Sequence, residues 1–448
     1  MEIDPIIGKD FLCAECGQRH TVGIKYIEEG NINKFCRFFK KVFNKDKKKV
    51  LLLADNITWE IAGEKCKNSI EKEYCVLPVI LFPEGERKVT AKQEYLAKIV
   101  KEASKADVIL TVGAGTITDL GKITGNIKNK PVVCFPTAPS MNGYTSPVAA
   151  YIKDGLKLTI PVTPAYGVFF DMDILKNAPM ELIKSGFADS MAKAYANADW
   201  KISSMITGES FCPLPYKIVS RSNRRRQSYP DGGELLLKRD TQTISELMQT
   251  LNLGGISMII AGKSSPASGG EHLISHFLDM YAHQHREEVF AYHGLQVGTG
   301  IFISSLVYEE MKRLTVSEIE RLLSEVKIDY DKHFQTVISF FPAGADMLKK
   351  EFDEKMRQIA VLRESLATNW EDVQKNAFTM VYTPERIAGI FKKSEIPLHL
   401  REIAVDEKII YDVIMLARFI RGRLTILDIA GETGILETVA QKYKELSS

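Results

Sequence analysis

Five of the chain's eight histidines, His272, His276, His283, His285 and His293, fall between Ser268 and Gly294, in SGGEHLISHFLDMYAHQHREEVFAYHG. Imidazole is the commonest side-chain ligand for divalent metals, and two imidazoles with one carboxylate leave an open coordination position for a substrate. His272 and His276 are four apart, so a helix carries both rings on one face, one turn above each other. His293 stands just before Gly294 at the start of a fresh apolar run and can return to the same point from a neighbouring helix. Without a carboxylate the cluster is a surface helix with scattered polar rings. GFADSMAKAYANADWK, residues 186–201, supplies two acids, Asp189 near a helix start and Asp199 as its competitor. Helix N-capping is the alternative role for either.

A second group of residues suits a dinucleotide. GAGTITDLGK, from Gly113 to Lys122, follows a β-rich run and opens a helical one, where backbone N–H groups and the helix dipole can cradle a pyrophosphate. Five residues separate Gly115 from Gly121 and Ile123 follows Lys122, so this is not a P-loop; the third glycine of GxGxxG is missing as well. Tight helix–strand packing explains the glycines equally well. Asp55 closes an earlier strand, the usual place for a carboxylate that bonds an adenosine ribose, and it is also a natural N-cap for the helix that follows. FPTAPSMNGYTSP, residues 135–147, is crowded with small and hydroxylic residues; at the carboxyl end of a parallel strand, Thr137, Ser140 and Ser146 can hydrogen-bond a cofactor.

Seven cysteines, an odd number, are too sparse for a disulfide scaffold. Cys13 and Cys16 form a CxxC followed by Gly17 and His20, three possible ligands of a small zinc site. The spacing shows no fourth ligand, and a hairpin turn with Gly17 at positive φ explains the string without metal.

The elements that must position these groups alternate between short apolar runs and amphipathic segments. Val50–Asp55, Val76–Pro83, Asp107–Gly113 and Pro131–Thr137 read as strands; Ile57–Cys66 and Ala91–Ser104 read as helices. Continuous apolar strands separated by helices indicate a parallel sheet covered on both faces. Beyond Asp173 the periodicity is helical, as in Val316–Ile328, Met347–Ala367 and Ile409–Phe419. The expected fold is a Rossmann-like α/β domain over residues 1–178, its first 47 residues peripheral, followed by an all-helical domain over 179–448, with the active site in the cleft between them.

At 448 residues, with 45% hydrophobic and 26% charged residues, the chain has the composition of a soluble globular protein of more than one domain. A formal net charge of +2 gives no reason to expect nucleic acid or an anionic membrane as partner. No apolar run approaches a membrane span, and MEIDPIIGKD lacks both a basic n-region and an h-region, so a cytoplasmic location is expected.

The strings LADNITWEIAG, GAGTITDLGK, PTAPSMNGYTSP, FFDMDILKNAP, GFADSMAKAYANADWK, PASGGEHLISHF, YHG and RGRLTILDIAGETGIL run in this order from about Val50 to Leu436. Together they resemble the metal-dependent polyol dehydrogenase superfamily that contains dehydroquinate synthase and the iron-containing alcohol dehydrogenases. Within it the chain is most similar to sn-glycerol-1-phosphate dehydrogenases of the bacterial AraM type. The resemblance implies that Asp55, Gly115, Thr116, Ile117, Thr118, Asp119, Thr137, Ala138, Pro139, Ser140 and Ser146 contact NAD(H) or NADP(H). It further implies that Asp189, His272 and His293 hold one divalent metal, zinc or nickel, and that His276 and Asn142 face the substrate. The reaction implied is interconversion of dihydroxyacetone phosphate and sn-glycerol 1-phosphate, with a phosphorylated triose or polyol as substrate and a homo-oligomer expected.

Three features depart from that pattern. Asn142 replaces an aspartate and cannot act as a base, although it can still donate and accept hydrogen bonds. Ser265 stands where an arginine is usual, which weakens recognition of an anion. RSNRRRQSYPDGG, residues 221–233, interrupts a helical pattern with a basic run and reads as a solvated loop or a contact for an anion or partner. Two other functions share these motifs: a cyclase of the dehydroquinate synthase kind, which returns its hydride within one turnover, and a non-catalytic relative that binds nucleotide or metal.

Overall fold

Leu51, Leu52, Leu53 and Ala54 are wholly buried although they are consecutive in one strand, which requires cover on both faces of the sheet. Alternate residues serve two cores. Leu51, Leu53 and Ile109 point into the large core shared with the helical half, while Val50, Leu52, Ala54, Val108 and Leu110 point into a second core with Phe35, Phe38 and Phe39. In this computed structural model, residues 6–43, 48–84, 88–153, 156–224, 232–285 and 288–446 are described.

The sheet has six parallel strands, in the order Tyr26–Glu29, Gly167–Phe170, Val132–Pro136, Val108–Gly113, Lys49–Asp55 and Cys75–Leu81. The two strands carrying Asp55 and Gly113 are neighbours, so both end on the same carboxyl edge. The N-terminal segment, expected to be peripheral, divides between the two halves. Its hairpin, Asp10–Leu12 paired with Arg19–Thr21, packs with Trp200, Leu253 and Ile256 of the helical half, whereas Tyr26–Glu29 forms an edge of the main sheet. Short apolar stretches between charged residues hid that edge strand from a pattern-based reading.

The helical half follows from Met180. Its components nearest the sheet are helices Met180–Thr207, Thr241–Ala261, Gly270–His285 and His293–Lys312, with a 32-residue helix Ala345–Asn376 outside them. The basic stretch 221–233 begins within helix Pro213–Arg224, lies outside the described residues over 225–231, and ends at the start of helix Gly233–Leu237. Among the described residues no helix is long and apolar enough to cross a membrane.

Between the halves runs an antiparallel hairpin, Val148–Lys153 with Leu156–Pro161. It is anchored by Lys122, fully buried, whose ammonium donates to the carbonyls of Gly143 (2.7 Å) and Val148 (2.6 Å) and to Ser146 Oγ (3.1 Å). Asp119 lies 3.6 Å from the same ammonium and accepts the Ala150 N–H at 3.1 Å. Lys122→Met would leave those carbonyls and Asp119 without their cation in a dry setting, at an expected cost of about 3–5 kcal/mol. Denaturant titration, together with faster hydrogen exchange across residues 137–150, would detect it; an unchanged midpoint contradicts the anchoring role.

Candidate active site

Helix Met180–Thr207 enters the interface beside the loop that leaves strand Val132–Pro136. The approach is close because residue 186 is glycine: a Cβ there would stand 1.8 Å from the Pro139 carbonyl oxygen. Gly294, next to His293, does the same on another side, since its Cβ would stand 1.8 Å from the Ser185 carbonyl oxygen. Its N–H also donates to Ser185 Oγ at 3.0 Å. One turn beyond this crossing lies Asp189, so helix His293–Lys312 delivers His293 to the carboxylate. Helix Gly270–His285 brings His272 to the same place.

One ligand atom from each of Asp189, His272 and His293 lies within 4.8 Å of the others. His272 Nε2 is 3.5 Å from Asp189 Oδ1, and the two imidazole centroids are 5.3 Å apart. His276 is close to both, with centroid distances of 6.0 Å to His272 and 5.9 Å to His293. His283 and His285 are not part of the group; His285 approaches the Phe340 carbonyl and lies over Tyr281.

Each candidate ligand has a partner that sets its orientation. Glu271, fully buried, holds His272 Nδ1 at 2.7 Å, which leaves Nε2 toward the cluster. Ser275 Oγ lies 3.3 Å from His293 Nδ1, which likewise frees Nε2. Lys193, one turn after Asp189 and 1% exposed, donates to Asp189 Oδ1 at 2.8 Å. The Asn142 N–H donates to Asp189 Oδ2 at 3.2 Å. Burial opposes ionisation of Asp189, but Lys193, followed by His272 and His293, outweighs it and holds the carboxyl well below the usual range. Burial, with Lys157 next, lowers His293 to about 3 and puts His276 well below its ordinary value. Two imidazoles and one carboxylate are the donor set of an open divalent-metal site, so the residues present fit a metal.

Asp199, the competing acid, has a different task. It accepts N–H groups from Gly270 (2.7 Å) and Ile426 (3.0 Å) and the Tyr308 hydroxyl (2.6 Å), and so ties the start of the His272 helix to the C-terminal segment. Ser265 lines a small cavity with Arg423 and Asp199 rather than the histidine cluster. Asn142 does reach the site, near Lys193: both stand over Gly254, whose Cβ would meet Lys193 Cε at 3.2 Å and Asn142 Cβ at 3.4 Å.

The residues expected to hold a dinucleotide occupy one edge of the sheet. Helix Gly115–Lys128 starts directly after strand Val108–Gly113 and has no side-chain cap at Ala114, so its first N–H groups are open to an anion. Thr118 Oγ1 is buried without a partner. Asp55 is an N-cap, accepting from the Thr58 N–H at 2.7 Å through Oδ1. Three of the expected contacts point elsewhere: Ile117 packs in the large core, while Asp119 and Ser146 are bound to the hairpin and to Lys122. Asp119 and Ser146 direct polar atoms to buried backbone that would otherwise be unpaired. The Thr137 to Ser140 segment lines the crossing instead: Tyr144 donates to the Ala138 carbonyl and Ser185 to that of Ser140.

Sequence reasoning passed over Lys193, Glu271 and Lys157. Lys157, from the interlobe hairpin, reaches Asp279 at 2.5 Å, and Gln296 holds the other oxygen of Asp279 at 2.8 Å. An acid immediately before a histidine and a lysine four after an aspartate were the available signals.

This architecture, a parallel six-stranded sheet followed by a helical half, is that of the iron-containing alcohol dehydrogenase fold. Residues 26–179 match the model of the iron-containing alcohol dehydrogenase family. The fold resembles an archaeal alcohol dehydrogenase from a Red Sea brine pool (TM-score 0.61, 13% identity, 96% of this chain and 100% of that one). It also resembles glycerol dehydrogenase from Schizosaccharomyces pombe (TM-score 0.54, 17% identity, 95% and 91%). In sequence the chain is 32% identical over 360 residues to glycerol-1-phosphate dehydrogenase [NAD(P)+] of Bacillus subtilis (strain 168), covering 78% of this chain and 86% of that one. It is 28% identical over 288 residues to the enzyme of the same name from Archaeoglobus fulgidus, covering 64% and 76%. The chain belongs to the glycerol-1-phosphate dehydrogenase family and is an oxidoreductase acting on a CH–OH group.

A pH dependence follows from the depressed imidazoles. His293, at about 3 when folded and about 6.5 unfolded, binds fewer protons in the folded chain. Its share of stability is complete above about pH 6.5 and is lost as pH falls toward 3, and the depressed His276 acts in the same direction. Chelator-treated protein is expected to lose up to about 1.4 kcal/mol per pH unit for each of these rings between pH 6.5 and 5. Urea midpoints at pH 7.5, 6 and 5 measure it, and a flat profile contradicts the assignment.

Proposed function

We propose that this protein interconverts dihydroxyacetone phosphate and sn-glycerol 1-phosphate with NAD(H) or NADP(H). In this reading Asp189, His272 and His293 hold one divalent cation, zinc or nickel. The carrying observation is the convergence of those three side chains, from three helices, on the carboxyl edge of a dinucleotide-type sheet. When bound, the cation polarises the ketone oxygen and the nicotinamide supplies the hydride.

The chain's own residues have the following roles. Lys193 and the Asn142 N–H keep Asp189 ionised and oriented. Glu271 and Ser275 fix the ring orientations of His272 and His293. His276, neutral because it is buried and faces Lys157, His293 and Arg421, can donate to one substrate oxygen and accept from another, and can pass the proton that completes the alcohol. Lys157 and Arg421 act electrostatically on His276 although each has an acidic partner, Asp279 and Glu351, and in this reading they are the cations that meet a phosphorylated substrate. The open N–H groups at Gly115 and Thr116 receive the pyrophosphate.

The direct test is NADH or NADPH oxidation with dihydroxyacetone phosphate, scoring the chirality of the product. Net oxidation to sn-glycerol 1-phosphate is expected; a cyclase consumes none, and no turnover after zinc or nickel loading overturns the reading. Asp189→Ala is expected to lose this metal and all turnover. His276→Ala should retain the metal while kcat falls about 10²–10⁴-fold; equal metal loss in both contradicts the separate roles. Lys157→Met should raise KM for the phosphorylated substrate about tenfold or more with a smaller effect on kcat. An unchanged KM removes Lys157 from substrate recognition.

A further inference from the structure

A second cluster of ligand-type side chains is separate from Asp189, His272 and His293. Cys13, Cys16, His20 and Cys212 each offer one atom, and the four atoms lie within 4.8 Å of one another. The first three come from the N-terminal hairpin. Its turn is tight: the Gly17 N–H donates to the Cys13 carbonyl at 2.9 Å and the Cys13 N–H to the Gln18 carbonyl at 2.8 Å, with Gly17 at φ +70°. That conformation favours glycine and brings the two thiols of CAEC to one side. The missing fourth ligand of the sequence reading arrives from 199 residues away, after the long helix Met180–Thr207, as Cys212.

The spacing of the atoms fits a filled tetrahedron. Zinc–sulfur bonds of about 2.3 Å and zinc–nitrogen bonds of about 2.0 Å place two sulfurs about 3.8 Å apart and a sulfur and nitrogen about 3.5 Å apart. Cys13 Sγ and Cys212 Sγ are 3.7 Å apart, and Cys16 Sγ and His20 Nε2 are 3.2 Å apart. Backbone N–H groups of Glu15 and Cys16 point to the Cys13 sulfur, and the His20 ring hydrogen-bonds the backbone of Ile260. These contacts orient the ligands as the surroundings of a metal do. Cys13 and Cys212 are buried, Cys16 and His20 half-buried.

We propose that Cys13, Cys16, His20 and Cys212 bind one zinc ion in a closed tetrahedral site that staples the N-terminal hairpin to the helical half. Three thiolates and one imidazole select zinc over harder divalent ions, and four protein ligands leave no position for a substrate, so the site is structural. It packs beside Trp200, about 16 Å of helix past Asp189, because the chain folds back after Thr207 and sets Ser210 and Phe211 against Trp200. The satellite core around it is thin, with Val22, Ile24, Trp200, Val219, Leu253, Ile256 and Ile260 as its main members. A metal bond there substitutes for apolar area that the hairpin cannot bury. Three of the four ligands precede residue 26, where the match to the family model begins.

The full chain is purified anaerobically as the Asp189→Ala variant, so that the substrate-facing cluster does not contribute. One zinc per chain is expected by elemental analysis, released by an organomercurial that titrates thiols. Cobalt in its place is expected to show intense sulfur-to-cobalt charge transfer, which a carboxylate and imidazoles cannot produce. Cys16→Ser with Cys212→Ser should abolish that band and expose the first 25 residues to protease. Less than a tenth of an equivalent of zinc with no cobalt–thiolate band overturns the proposal, as does a Cys13–Cys212 disulfide in the freshly isolated chain. The spectrum is read on protein with all four ligands intact, so misfolding of the double variant leaves the test decisive. Inactivity toward dihydroxyacetone phosphate would count against the proposed reaction and leave this result untouched.

Discussion

The close approach of three backbones at Gly186 and Gly294 is the constraint from which the site follows. A methyl group at either position would stand within 2 Å of a carbonyl oxygen, so any side chain forces the loop Pro136–Met141 or helix His293–Lys312 away from helix Met180–Thr207. Asp189 is three residues beyond one glycine and His293 is adjacent to the other. Moving either backbone by a side chain's width would open the cluster beyond coordination distance. Packing, rather than any bond between the polar groups, sets their separation.

Charge balance is solved locally once packing has placed the groups. A buried carboxylate without compensation is costly, and Asp189 has Lys193, His272 and a backbone N–H around it. Glu271 pairs with His272, Asp279 with Lys157 and Gln296, and Asp119 with Lys122, so nearly every buried acid near the interface has a named partner. Asp199 is held by uncharged donors instead, the Gly270 and Ile426 N–H groups and the Tyr308 hydroxyl, and burial followed by neighbouring Glu271 raises it to about 7.

Much of this was legible in the sequence, and the limits are physical. Strand Val50–Asp55 was visible because burial on both faces demands an unbroken apolar run. His272, His276 and His293 were visible because four-residue spacing and a following glycine are local signals. Tyr26–Glu29 was hidden because an edge strand of four residues needs little apolar content. Asp119 and Ser146 were assigned to the cofactor on their place in the motif, yet they serve the hairpin Val148–Pro161, whose existence the pattern did not suggest. Lys193 and Glu271 are ordinary helix residues by composition; only the tertiary fold shows that both are buried against ligands. Cys212 meets Cys13 across 199 positions, and a contact of that span leaves no trace in spacing.

The edge strand Tyr26–Glu29 joins the sheet through Gly167–Phe170, and the hairpin before it packs on Trp200, Leu253 and Ile256. Every one of those partners is made later by the ribosome. The segment therefore waits for partners made after it, while strands Lys49–Asp55, Cys75–Leu81 and Val108–Gly113 can already pair with one another. During synthesis Tyr26–Glu29 stays unpaired until Gly167–Phe170 has been made, so the order of translation, and not only the final contacts, shapes how this protein reaches its fold.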